Sequence, residues 1–76
     1  MKKVFFDIGK CDEVVDAVSL DDNVADWSIE GSNSNIGVVV DSLDIEGTIE
    51  LLDNKGLVFD PQSSASSKVL GTVLFL

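Results

Sequence analysis

An all-β domain, a small antiparallel sandwich or barrel of about seven short strands, is the fold class that the sequence predicts. Three observations carry that expectation. Apolar and polar residues alternate with period two along most of the chain, as in strands with one buried face. Clusters of glycine, asparagine, aspartate, serine and proline interrupt the alternation about every ten residues. A 45% hydrophobic content supplies apolar surface for a core despite a net charge of −9. The 76 residues read as one domain over 1–76, of a size that buries only about 60% of its unfolded surface.

Taken in order, residues 3–8 (KVFFDI) form a strand with Val4, Phe6 and Ile8 on one face and Lys3, Phe5 and Asp7 on the other. Residues 11–22 (CDEVVDAVSLDD) fit two patterns. Val14, Val15 and Val18 make a short helical stripe with Asp12 as N-cap, whereas the β-branched content and the spacing of Val14, Val18 and Leu20 suit a strand carrying Asp16. The strand reading is preferred. In residues 25–30 (ADWSIE), Ala25, Trp27 and Ile29 point inward and Asp26, Ser28 and Glu30 outward. The loop GSNSN (31–35) joins them to IGVVVDSL (36–43), and the two strands read as a hairpin.

Residues 44–60 (DIEGTIELLDNKGLVFD) read as a second hairpin, with Asp44, Glu46 and Glu50 in one row and Ile45, Ile49 and Leu51 in the other. DNKG supplies a type I turn followed by a left-handed glycine, and Pro61 ends the return strand 57–60. PQSSASSK (61–68) is a polar connection, long for a hairpin, to a last strand VLGTVLFL (69–76) that is apolar on both faces. Such a strand is central in a sheet or lies in an interface.

Composition excludes several functions. Fourteen acids oppose five lysines, with no arginine or histidine, so no basic footprint exists for nucleic acid or an anionic membrane. A lone Cys11 excludes an internal disulfide, and without histidine no ordinary zinc set can be assembled. Asp7 interrupts the N-terminal apolar run too early for a signal peptide, and the final eight residues are far short of the ~20 a membrane helix needs. A reducing, soluble compartment, or a particle assembled there, is expected.

Candidate chemistry is sparse. On a strand, Asp44 and Glu46 would stand about 6.7 Å apart, a spacing compatible with a general acid/base pair. Without a concave site or stacking tyrosines the solvated sheet face is the preferred reading. Asp21, Asp22 and Asn23, or Asp41 with Asp44, lack the pattern of a calcium loop and read as turn residues. Cys11 has no histidine to activate it and lies beside Asp12 and Glu13, which disfavour the thiolate. Trp27 reads as core. No catalytic residue, metal, cofactor or small-molecule substrate is expected.

What remains is assembly. Phe5, Val39 and Leu43 sit on faces that otherwise read polar, and Leu70, Val73, Leu74, Phe75 and Leu76 make the last strand apolar on both sides. A domain this small cannot readily bury all of them, so these eight are the candidate interface. A different class of function, an acidic inhibitor that mimics nucleic acid toward a basic enzyme, is the alternative that the charge supports.

Residues 17–56, AVSLDDNVADWSIEGSNSNIGVVVDSLDIEGTIELLDNKG, resemble the small β-sandwich proteins of bacteriophage virions, in which a W-x-I/V-E-G-S strand is followed by V-x-V strands and a short turn. The tryptophan often found after the later turn is absent here, where Asn54 and Lys55 stand. The resemblance implies a virion structural protein, such as a head decoration, minor capsid or tail component, whose partners are copies of itself and other structural proteins. It carries over no active-site residues.

Overall fold

The computed structural model describes residues 1–32, 35–59 and 69–76. Among them the elements run β1 (Lys3–Asp7), a 3-10 turn (Ile8–Lys10), α1 (Cys11–Ser19), β2 (Val24–Glu30), β3 (Gly37–Ser42), α2 (Ile45–Asn54) and β4 (Leu70–Phe75). The strands form one sheet in the order β1-β4-β3-β2, with β1/β4 and β2/β3 antiparallel and β3/β4 parallel. The chain is therefore α/β, which corrects the expected all-β sandwich of seven strands. Two of the expected strands are helices.

The first correction falls on residues 11–22. Val14, Ala17 and Val18 are buried in α1 while Asp12, Glu13 and Asp16 face solvent, the i, i+3, i+4 stripe of an amphipathic helix. Asp7 starts this stretch, because its carboxylate accepts the Gly9 N–H at 3.1 Å and nucleates the 3-10 turn that leads into α1. Asp12 and Glu13 lie in the first helical turn, where negative charge opposes the helix dipole favourably. The valines' β propensity is outweighed by burial against the sheet.

The second correction falls on the hairpin expected at 44–60. Asp44 is the N-cap of α2 and accepts the Gly47 N–H at 3.0 Å. Ile45, Thr48, Ile49 and Leu52 turn toward the core and Glu46, Glu50 and Asp53 away from it. Ile45 and Ile49 satisfy period two and period 3.6 equally, so the alternation was ambiguous. DNKG does hold a left-handed glycine, Gly56 at φ +71°, but as the helix terminator. Gly56 N–H bonds to Asp53 O at 2.9 Å and Leu57 N–H to Leu52 O at 2.9 Å, the paired bonds of a Schellman motif, with Leu57 buried in the same core as Leu52. Beyond it, Phe59 makes an isolated antiparallel bridge to Phe5 rather than returning along residues 45–52. Residues 60–68, including the expected connection PQSSASSK, lie outside the described residues.

The β2/β3 hairpin and the central β4 follow the sequence reading. One inward row differs: a register shift between Val24 and Asp26 leaves Ala25 without a partner on β3, so Val24 and Trp27 pack on the core while Ala25 is exposed, and Ile29, expected inward, is 48% exposed and does not pack on the core. Both helices cover one face of the sheet. Phe6, Val38, Val40, Val73 and Phe75 from that face meet Val14, Ala17, Val18 and Leu52 from the helices. Gly71 lies under the Phe6 ring, in space that a Cβ would occupy.

A hydroxyl chain joins the pieces. Asp44 N–H donates to Ser42 Oγ at 3.2 Å, and Thr48 Oγ1 donates to Asp21 Oδ2 at 2.6 Å. Because Thr48 has one proton, the Ser42 hydroxyl donates to Thr48 Oγ1, 2.7 Å away. This ties the α1–β2 loop and the end of β3 to α2. Thr48 is 0% exposed and Ser42 7%. Thr48→Val, which keeps the shape but deletes the acceptor of a buried hydroxyl, is expected to cost about 1–3 kcal/mol in urea unfolding. The double variant Ser42→Ala/Thr48→Val should be closer to the parent than that single change.

Candidate functional site

Among the described residues, no helix lies on the opposite face of the sheet. By strand register its side chains form rows: Lys3, Leu74, Val39 and Ser28 in one, and Phe5, Thr72, Gly37 and Glu30 in the next. Asp41 and Asp26 pair beside the first row, and Asp7 and Leu70 beside the second. Phe5, Val39, Leu70 and Leu74 are half-buried, yet none of them belongs to the core or packs against it. Alternation dictates this, since their neighbours Phe6, Val40, Gly71, Val73 and Phe75 point to the helices. At one end, a shallow depression of about 500 Å³ is lined by Lys3, Glu30, Thr72 and Leu74 among others.

This face gathers five of the eight residues expected at an interface. Phe5, Val39, Leu70 and Leu74 make its apolar centre. Leu76 lines a small recess beside Val39 and Asp41 and is 65% exposed. Val73 and Phe75, by contrast, are 1% and 0% exposed and sealed under the helices, so the expectation that they lie at an interface is corrected. Leu43, 84% exposed, stands at the β3–α2 junction, outside the face. Sequence reasoning did not single out the charged margins. Lys3 stands on the β1 side and Asp26, Glu30 and Asp41 on the β2/β3 side. Their alternation was visible, but only the strand order brings them to one surface.

The candidate chemical residues disperse. Asp44 caps α2, Glu46 pairs with Lys2 from the start of the chain, and Glu50 lies exposed on the helix, so the row of carboxylates expected on a strand does not form. Asp21 binds Asn23 N–H at 3.0 Å through Oδ1 and Thr48 through Oδ2, satisfying its own turn. Among the described residues, no three histidine, cysteine or acidic side chains converge where they could hold a metal. Cys11 is half-buried, and its thiol pKa is raised by burial and secondarily by the Asp12 charge. That keeps it protonated, the weakly nucleophilic form, at neutral pH.

The two edges of the sheet are guarded. On β2 the Asp26 carboxylate takes the Trp27 N–H at 2.9 Å, and on β1 the Phe5 carbonyl accepts from Phe59. Occupied backbone groups and edge charges discourage pairing with a foreign strand. No described helix is long and apolar enough to cross a membrane. Compared with known proteins, the chain matches no family model, no curated protein and no solved structure.

Proposed function

We propose that the chain is a non-enzymatic assembly module that binds copies of itself, and through them other structural proteins, by the helix-free face of its sheet. One observation carries the reading: Phe5, Val39, Leu70 and Leu74 lie together on that face, outside the core. Four strands about 4.8 Å apart and five residues long span roughly 19 by 17 Å, or on the order of 300 Å². Apolar-centred patches of that size on small proteins are commonly functional. The setting, a virion or its assembly in the cytoplasm of a host cell, is part of the proposal and rests on the resemblance of residues 17–56 alone, of which residues 45–54 form α2 rather than sandwich strands.

So small a face makes a weak contact, one that gains strength by repetition in a symmetric assembly. Light scattering at about 0.5 mM, a concentration chosen for weak interfaces, is expected to give a mass above that of one chain. Leu74→Asp is expected to return it to the monomer with circular dichroism unchanged, since a charge at the centre of an apolar interface is costly but leaves the core intact. A monomeric parent, or a Leu74→Asp variant that still associates, overturns the reading.

The second reading, an acidic inhibitor of a basic nucleic-acid-binding enzyme, is favoured by Asp26, Glu30 and Asp41 along one margin of the same face. Salt separates the two. Chains of charge −9 repel one another, so self-association strengthens as salt screens them, whereas binding to a basic groove weakens steeply.

A further inference from the structure

We propose that two copies pack sheet on sheet about a two-fold axis running along the strands, over the boundary between β3 and β4, so that Lys3 of each enters the acidic margin of the other. The inference rests on the self-association reading and specifies its geometry. In the order β1-β4-β3-β2, such an axis exchanges β4 with β3 and β1 with β2 while keeping height along the strands. Leu74 and Val39 share a row, so each Leu74 meets Val39 of the second copy and the apolar centres coincide. Lys3 and Ser28 stand in that same row at opposite edges of the sheet. Each Lys3 therefore faces Ser28 of the second copy, with Asp26 and Glu30 of that copy about 6.7 Å to either side along the strand.

The other two-fold arrangement is excluded by the same charges. An axis across the strands at the height of Ser28 stacks β2 on β2 and places Asp26 of each copy against Glu30 of the other, and like charges juxtaposed in an interface are strongly unfavourable. Lys3 on one margin, Asp26, Glu30 and Asp41 on the other and an apolar centre between them make the face self-complementary, as an isologous contact requires, while Asp7, two rows from Lys3 on the β1 margin, turns its carboxylate to the Gly9 N–H. The lysine's flexible stem spans the skew of about 30° between stacked sheets.

Zero-length carbodiimide coupling of the unmodified chain, mixed in ¹⁵N-labelled and unlabelled forms at about 0.5 mM as suits a weak interface, tests this. Within one chain Lys3 is three strand spacings, about 14 Å, from β2, too far for such a link. Lys2 and Glu46, which touch within the chain, provide the same-isotope control. The expected result is a dimer band whose digest joins Lys3 to Asp26 or Glu30 in mixed-isotope peptides. Lys3→Glu is expected to weaken the dimer about tenfold, and Lys3→Arg to leave it within about twofold, since the charge is retained. A dimer lacking that link, or indifferent to Lys3→Glu, overturns this packing and leaves the assembly reading standing. A chain that stays monomeric overturns both.

Discussion

Phe75→Ala is expected to leave a large fraction of the chain unfolded under mild conditions. Removal of a fully enclosed phenylalanine costs about 3–5 kcal/mol through lost burial and the cavity left behind, and a domain of this length commands only about 4–11 kcal/mol in all. Phe75 is 0% exposed at the centre of the sheet, in one cluster with Val40 across the strand and with Val18 and Leu52 from the helices. Collapse around the void is limited because α2 is anchored at both ends, by its Asp44 cap and its Gly56 terminator. Urea titration followed by circular dichroism and by Trp27 fluorescence measures the loss. The contrast with Leu74→Asp is the sharper part of the prediction. Adjacent residues on β4 should separate cleanly, one change abolishing the fold and the other only association. A Phe75→Ala chain as stable as the parent would mean that the helices do not cover this face.

The second large effect is expected at Gly71. A Cβ there would stand 2.4 Å from Phe6 Cζ and 2.8 Å from both Cε atoms, so Gly71→Ala must push the Phe6 ring out of the core. Overpacking of this kind costs about 1–3 kcal/mol. The same ring, if fully displaced to solvent, gives up burial worth about 1.5–3 kcal/mol, which sets an upper end near 3 for the substitution if part of that burial is retained. Thermal melts of the parent, Gly71→Ala, Phe6→Leu and the double variant form a cycle that isolates the contact. Gly71→Ala is expected to be much less harmful once Phe6 is leucine. Equal costs in both backgrounds would show that the glycine serves something other than the ring.

The tertiary level also explains which sequence signals misled. Residues 45–54 carry good strand formers, with Ile45 and Ile49 at positions that satisfy both periods and Thr48 at one that only the helical period turns inward. The decisive signals were the ends: an aspartate whose side chain could cap at Asp44 and a glycine at Gly56 one residue past the last turn. DNKG was read correctly as left-handed at its glycine and wrongly as a hairpin, because a hairpin turn and a helix terminator use the same residue for the same reason. In α1 the three-valine stripe outweighed the β-branching once a sheet was present to bury it. The candidate interface was legible wherever alternation along a single strand decides it. That is why Phe5, Val39, Leu70 and Leu74 fall on one face and why Val73 and Phe75, selected from the same apolar run, fall on the other.

By itself, the sequence determined the alternation of β1, β2, β3 and β4, the β2/β3 hairpin, the double-sided apolar character of the last strand and the net negative charge. Those follow from local geometry, since successive side chains on a strand point in opposite directions and charge adds regardless of fold. Only the tertiary structure decided that both described helices cover the same side of the last strand, and that Lys3 and the acids of β2 stand at opposite margins of a single surface. Strand order and layer placement depend on contacts between residues far apart in the chain, of which the pattern along any one segment carries no trace.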